Sequence, residues 1–269
     1  MYDQDPQTPA DRPVAIVTGA TGAIGSATAR HLSRDGWQVA LVARDVERAK
    51  ALAAELGPMA EAVQADAIDS ASIDQAFADV AARLGAPTAL VHAVGSTLLR
   101  PAHAIKDEDF AEVVAVNLTS AFYALRAFVR LVPRSQHAAA LFFSTAATSI
   151  GLVNHDAISA AKGGVNGLVT AAAATYASRG IRVNAIAPGL VRSELTRRLV
   201  ENPATLQASE AMHPLGRVGE PEDIAALAAL LVGAQAGWMT GQVIAVDGGL
   251  SGIKPPPAPE RMRAASVSA

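Results

Sequence analysis

The sequence predicts a three-layer α/β protein in which helices cover both faces of one doubly wound, seven-stranded parallel sheet. Two observations carry this. From Val14 onward, short runs rich in Val, Ile, Leu and Ala alternate with longer Ala-rich amphipathic segments, the pattern of repeated βαβ units. The first run also leads directly into a glycine-rich turn that opens a helix, Thr18-Gly19-Ala20-Thr21-Gly22-Ala23-Ile24-Gly25.

Each element follows from local pattern. Strands are expected at Val14–Thr18, Gln38–Ala43, Ala60–Ala65, Ala89–His92, Ala139–Ser144, Arg182–Ile186 and Gln242–Val246, where branched and apolar residues cluster. Helices are expected at Ile24–Asp35, Val46–Leu56, Ser72–Leu84, Asp107–Leu131, Ala157–Ser178 and Pro221–Leu231, the last with Pro at its first position. A further helix is assigned to Glu194–Met212. Asp45 and Asp156 stand where helix caps are expected. Residues 1–12 are polar, acidic and carry two prolines, and residues 253–269 begin with a proline run. Both are expected to be flexible, leaving 13–252 as a single domain.

Composition narrows the function classes. With 269 residues and 51% hydrophobic content, one large domain can bury a core. A net charge of -3 supplies no basic field for nucleic acid or anionic lipid. The chain has no cysteine, which removes disulfides, thiolate metal sites and cysteine nucleophiles and agrees with a cytoplasmic location. The most apolar stretch, Ile224–Met239, is shorter than the roughly 20 residues of a membrane span. No membrane partner is therefore expected. The six histidines form no helical pattern with a carboxylate, so no metal site is expected either.

The glycine turn has a physical reading of its own. Small residues let backbone N–H groups approach a pyrophosphate, and the following helix N-terminus adds positive dipole. After the second strand, Ala43 is followed by Arg44. NAD-selective folds place an acid there for the ribose 2′-hydroxyl, whereas a guanidinium suits a 2′-phosphate. The expected cofactor is NADP(H), and Gly19, Thr21, Ala23, Ile24, Gly25 and Arg44 are its candidate ligands.

On these residues the chain resembles the short-chain dehydrogenase/reductase family, a Rossmann-type group, from about Val14 to Gly249. Thr18-Gly19-x-x-x-Ala23-x-Gly25 is similar to its glycine loop, with Ala23 in place of the middle glycine. The resemblance implies that Asp66, followed by Ala67, contacts adenine. It also implies that His92-Ala93-Val94-Gly95 replaces the family's Asn-Asn-Ala-Gly stretch at the cofactor, keeping only Gly95. Asn117 matches the structural and catalytic asparagine. Asn184, Pro188-Gly189 and Asp247-Gly248-Gly249 match the carboxyl-terminal signatures, and the segment Pro188, Gly189 and Val191 is expected along the nicotinamide. Family members assemble through small-residue helices such as Ala157–Ser178, so a homodimer or homotetramer is expected.

One departure bears on the chemistry. The family's proton-donating tyrosine stands four residues before its lysine. Here Lys162 is present and that position holds Ile158. In the same register the catalytic serine falls on Thr145, preceded by Ser144. Tyr176 lies 14 residues past Lys162, about 21 Å along the helix. His155, seven residues before Lys162, falls on nearly the same helical face, and imidazole is a competent acid near neutral pH. Lys162 has a second role in the family at the nicotinamide ribose, which explains its presence without catalysis.

Without the tyrosine, roughly 10²–10⁴-fold of acid–base assistance to ketone reduction is lost. Addition of hydride to a conjugated C=C leaves a less basic enolate that hydroxyl and ammonium donors can hold, and reduction of an iminium leaves an amine. The expected function is therefore an NADP(H)-dependent reductase of an activated C=C or C=N bond in a small organic substrate. Two alternatives stand beside it: carbonyl reduction with His155 as acid, and a nucleotide-binding sensor or structural subunit without turnover. Leu98, Leu99, Leu190, Leu195, Leu199 and Met212 are expected around an apolar substrate.

Overall fold

The computed structural model describes residues 12–254; the flexible segments expected at either end fall almost wholly outside the described residues. Seven strands form one parallel sheet in the order β3-β2-β1-β4-β5-β6-β7. They are β1 (Val14–Thr18), β2 (Gln38–Ala43), β3 (Ala60–Gln64), β4 (Ala89–His92), β5 (Ala138–Phe143), β6 (Ile181–Pro188) and β7 (Val243–Val246). Every residue of β1, β4 and β5 is buried, as expected of strands covered on both faces.

The helices are α1 (Ala23–Arg34), α2 (Val46–Leu56), α3 (Ser70–Leu84), α4 (Asp107–Val114), α5 (Ser120–Leu131), α6 (Asp156–Tyr176), α7 (Arg197–Val200), α8 (Pro203–Met212) and α9 (Pro221–Val232). One core joins the sheet to α3, α5 and α6 through residues such as Phe77, Phe128, Val165 and Val169. The other joins it to α1, α2 and α9 through Leu32, Leu52, Ile224 and Leu231. The chain order reverses between β1 and β4, which opens a crevice at the carboxyl ends of these strands, where ligands of such sheets bind.

Three expectations need correction. The helix expected over Asp107–Leu131 is interrupted by a π-helical turn at Ala115–Thr119. The helix expected over Glu194–Met212 is two helices, because Pro203 lacks an N–H and starts a new one, with Asn202 accepting from the Thr205 amide. Asp156 makes no capping bond: His155 is the N-cap of α6 and Asp156 is its first helical residue. Asp45, by contrast, caps α2 by accepting from the Arg48 amide.

The stretch Asp107–Leu131 is long and apolar enough to cross a bilayer by length and composition alone. Its apolar side, Ala121, Ala124, Leu125 and Phe128, is packed into the core. Among the described residues no group of histidines and carboxylates could hold a metal ion.

Candidate active site

The glycine turn is built by close backbone approach. Gly19 has φ +68°, and a Cβ there would lie 2.7 Å from the Ala93 carbonyl group at the end of β4. A Cβ on Gly25 would fall 2.3 Å from the Gly19 oxygen, so both positions demand glycine. Ala23 needs no such freedom, since it is the first residue of α1 and does not have a positive φ. Gly22, the N-cap of α1, provides no side-chain cap, which leaves the first-turn amides of α1 free for an anion.

Beside this turn lies a groove of about 300 Å³, lined by Gly19, Thr21, Arg44, Arg48, Asp66, Ala67, Gly95 and others. Asp66 is held in place by its own turn, accepting from the Ile68 amide at 3.1 Å. Arg44 is exposed and enters no ion pair among the described residues. Arg48 reaches across the rim to donate to the Thr21 carbonyl at 3.3 Å. Sequence reasoning missed Arg48, although its place in the first turn of the helix that follows Arg44 was a usable signal. A tight glycine cradle, an uncapped helix start and two guanidiniums fit a phosphorylated dinucleotide.

His92 does not reach this groove. Its ring is buried in the sheet, with Nδ1 2.8 Å from the Thr18 hydroxyl and Nε2 3.0 Å from the Ser120 hydroxyl. Burial, helped by the nearby Lys162 ammonium, pushes its pKa down to about 3. The expectation of a cofactor contact is thus corrected: His92 is a neutral strut between β1, β4 and α5.

A second cavity, of about 320 Å³, opens where β5, β6 and α6 meet. Ile24, Ser144, Thr145, His155, Ile158, Lys162, Pro188, Gly189 and Val191 all line it, so most of the expected catalytic residues converge. Lys162 is buried and donates to the Phe143 carbonyl at 2.9 Å, and burial lowers its pKa to about 8. The Thr145 hydroxyl accepts from the Ala147 amide at 3.3 Å, which leaves its proton to donate. The Ser144 hydroxyl is buried without a partner among the described residues, an expense of order 1–3 kcal/mol unless a ligand satisfies it. His155 bonds through Nδ1 to the Val153 carbonyl at 2.8 Å; that nitrogen must carry a proton, and Nε2 is left for chemistry.

Asn117 sits in the π-helical turn, fully buried. Its Oδ1 accepts from the Ser96 amide at 3.1 Å, and its Nδ2 donates to the Ser96 hydroxyl and the Val113 carbonyl. Asn117 therefore holds the Gly95–Ser96 bend between groove and cavity. Asn184 and Asp247 serve structure: the first ties β6 to Met239 and Gln242, and the second binds the Gly249 and Ser251 amides.

Ile158 is buried with Val113, Ala157 and Ala161, and Leu98, Leu99 and Ile105 pack on them. The side chain thus pins the loop after β4 over the site and offers no polar atom to it. Of the leucines and methionine expected around a substrate, Leu99, Leu190, Leu195, Leu199 and Met212 line the cavity, whereas Leu98 does not and packs against the Ile158 cluster. His213, whose ring also lines the cavity, was not singled out from sequence, because nothing local distinguishes it from a surface histidine.

Comparison with known proteins agrees with this geometry. Residues 19–251 match a family model described as enoyl-(acyl carrier protein) reductase. The inactive 2-(S)-hydroxypropyl-CoM dehydrogenase 2 of Xanthobacter autotrophicus is 38% identical, over 84% of this chain and 100% of its own. Galactitol 2-dehydrogenase (L-tagatose-forming) of Cereibacter sphaeroides is 36% identical, over 89% of this chain and 95% of its own. The solved structure of an actinorhodin polyketide ketoreductase variant with NADPH superposes with a TM-score of 0.86 at 29% identity, covering 91% of this chain and 99% of that one. The chain is a member of the short-chain dehydrogenase/reductase family.

Proposed function

We propose that this chain is an NADP(H)-dependent reductase that acts on an activated C=C or C=N bond of a small, largely apolar substrate. The carrying observation is Ile158, an apolar residue packed into a hydrophobic cluster at the position of the family's proton-donating tyrosine, while Lys162 and Asn117 are retained and Thr145 keeps a hydroxyl at the serine position. Arg44 and Arg48 on the groove rim support NADP(H), as does the NADPH carried by the structurally similar ketoreductase.

When bound, the reduced nicotinamide supplies hydride. The chain's own part is to orient the acceptor and hold the charge that develops on it. Leu195, Leu199 and Met212 exclude water from the apolar body of the substrate. The hydroxyls of Ser144 and Thr145 and the Lys162 ammonium donate to its polar end. An enolate held this way takes its proton from water, or from His155 Nε2 when the ring carries a proton on both nitrogens, and an amine product needs none at the hydride step. A saturated alkoxide is far more basic, and Ile158 has nothing to give it. The reading includes a cytoplasmic location, which suits a cysteine-free chain, and a homo-oligomer, for which the exposed Phe110 and Phe122 are available apolar surface.

A second reading is a nucleotide-binding protein without turnover. It is favoured by the same Ile158 and by the inactive designation of a 38% identical relative. The test is NADPH consumption against ketones, conjugated enones and cyclic imines, with NADH as control. Turnover of enones or imines but not of ketones supports the reductase; NADPH binding with silence on all three supports the second reading.

A further inference from the structure

Both ring nitrogens of His213, the residue that ends α8, are committed. Nδ1 lies 2.7 Å from the Ser209 carbonyl oxygen, so that nitrogen carries the proton. Nε2 accepts from the Leu190 amide at 3.2 Å and therefore has none. These two bonds select the neutral ring with its proton on Nδ1. The ring is 3% exposed, and a Cβ on Gly189 would fall 2.7 Å from Nε2, so the imidazole lies directly against the Gly189–Leu190 backbone.

The two bonds join parts of different character. On the Leu190 side, the Gly189 amide donates to the Val246 carbonyl at 3.2 Å and the Leu190 carbonyl accepts from Gly219 at 2.8 Å; this wall is fastened to the sheet. On the other side, α8 carries Ser209 and Met212 over the mouth of the catalytic cavity. We propose that His213 is a positioning residue that latches α8 to the Leu190 wall of the active site, and that the latch holds only while the ring is neutral.

A second proton on the ring would put an N–H on Nε2 facing the Leu190 N–H, two donors with no acceptor between them. That bond would then be lost while the Ser209 bond survived. Charged groups lie on both sides of the ring. Asp247 stands beside it after β7, its carboxylate engaged by the Gly249 and Ser251 amides. The Arg217–Asp223 ion pair shares a cavity of about 150 Å³ with the ring, while Lys162 and His155 share the catalytic cavity.

The test reads the Leu190 amide directly and needs no substrate, so it stands or falls apart from the reductase reading. Hydrogen exchange over residues 186–215 is compared at matched pH in the natural protein and in His213→Gln, whose carboxamide oxygen reaches the Nε2 position and does not titrate. Near pH 8 the two are expected to be equally protected. Below the midpoint of the ring's own titration the natural protein is expected to exchange roughly three- to tenfold faster than the variant, the range of one hydrogen bond. In parallel, the ring nitrogens of the natural protein are titrated by NMR, and loss of Leu190 protection is expected to share their midpoint. Equal protection of both proteins once the ring is protonated, or a Leu190 amide that ignores the ring titration, would overturn the proposal.

Discussion

The Lys162 ammonium lies 2.9 Å from the carbonyl oxygen of Phe143, which fixes the start of α6 to the end of β5. A Cβ on Gly95 would stand 3.6 Å from the same nitrogen. The lysine therefore sits at the junction of groove and cavity with little freedom to move.

Burial lowers this ammonium to about 8, and a step that uses its charge fades as pH rises through that value. The pH–rate profile is expected to fall above about pH 8. Lys162→Ala is expected to lose at least about 10²-fold in rate and with it this alkaline limb. An unchanged rate in the variant would remove Lys162 from the chemistry.

His92 predicts acid sensitivity of the fold. Its pKa is about 3 in the native state against 6.5 for the free group, so between these values the unfolded chain binds a proton that the native one excludes. Stability should therefore fall as pH drops from 6.5 towards 3, by up to about 1.4 kcal/mol per pH unit. Urea midpoints at pH 7 and pH 5 check this. His92→Asn should flatten the difference while costing about 1–3 kcal/mol at pH 7 through the Thr18 and Ser120 hydroxyls.

These two residues also mark how far the sequence could be read. The strands and helices around the crevice were legible because βαβ units repeat a simple alternation of apolar runs, and the bounds of β1, β2, β4 and α2 coincide with expectation. The π-helical turn at Asn117 was not, since Ala115–Thr119 has ordinary helical composition and the extra residue is stabilised by the Ser96 contacts. Lys162, Thr145 and Ile158 were legible only through the resemblance to the family, whose serine, tyrosine and lysine register they follow. The bond of His92 to Ser120 and that of His213 to Leu190 reach residues 28 and 23 positions away in the chain, beyond any local pattern.

Gly25→Ala tests the phosphate cradle. The added carbon would meet the Gly19 oxygen at 2.3 Å, which forces the turn open. A loss of about 1–3 kcal/mol in stability is expected, together with a large loss of NADPH affinity, measurable by thermal denaturation and by calorimetric titration. Full retention of NADPH binding would place the pyrophosphate elsewhere.

Arg44 and Arg48 should set the choice of nucleotide. Arg44→Ala and Arg48→Ala are each expected to weaken NADPH about tenfold, as for one charge-assisted hydrogen bond. NADH should be almost unaffected, and the NADPH effect should shrink in high salt because both side chains are exposed. A parallel loss for both nucleotides would mean that the arginines only brace the loop at Thr21.

The central claim is that Ile158 marks a changed reaction. The most direct measurement is the ratio of enone or imine turnover to ketone turnover in the natural protein and in Ile158→Tyr. A tyrosine there restores a phenol four residues before Lys162 but crowds the cluster with Leu98, Leu99 and Ile105, at an expected cost of about 1–3 kcal/mol. Ketone turnover is expected to rise about 10²-fold or more in the variant, from a natural protein that favours the conjugated or imine substrate. A natural protein that reduces ketones as fast as enones and imines, with no gain from the tyrosine, would contradict it.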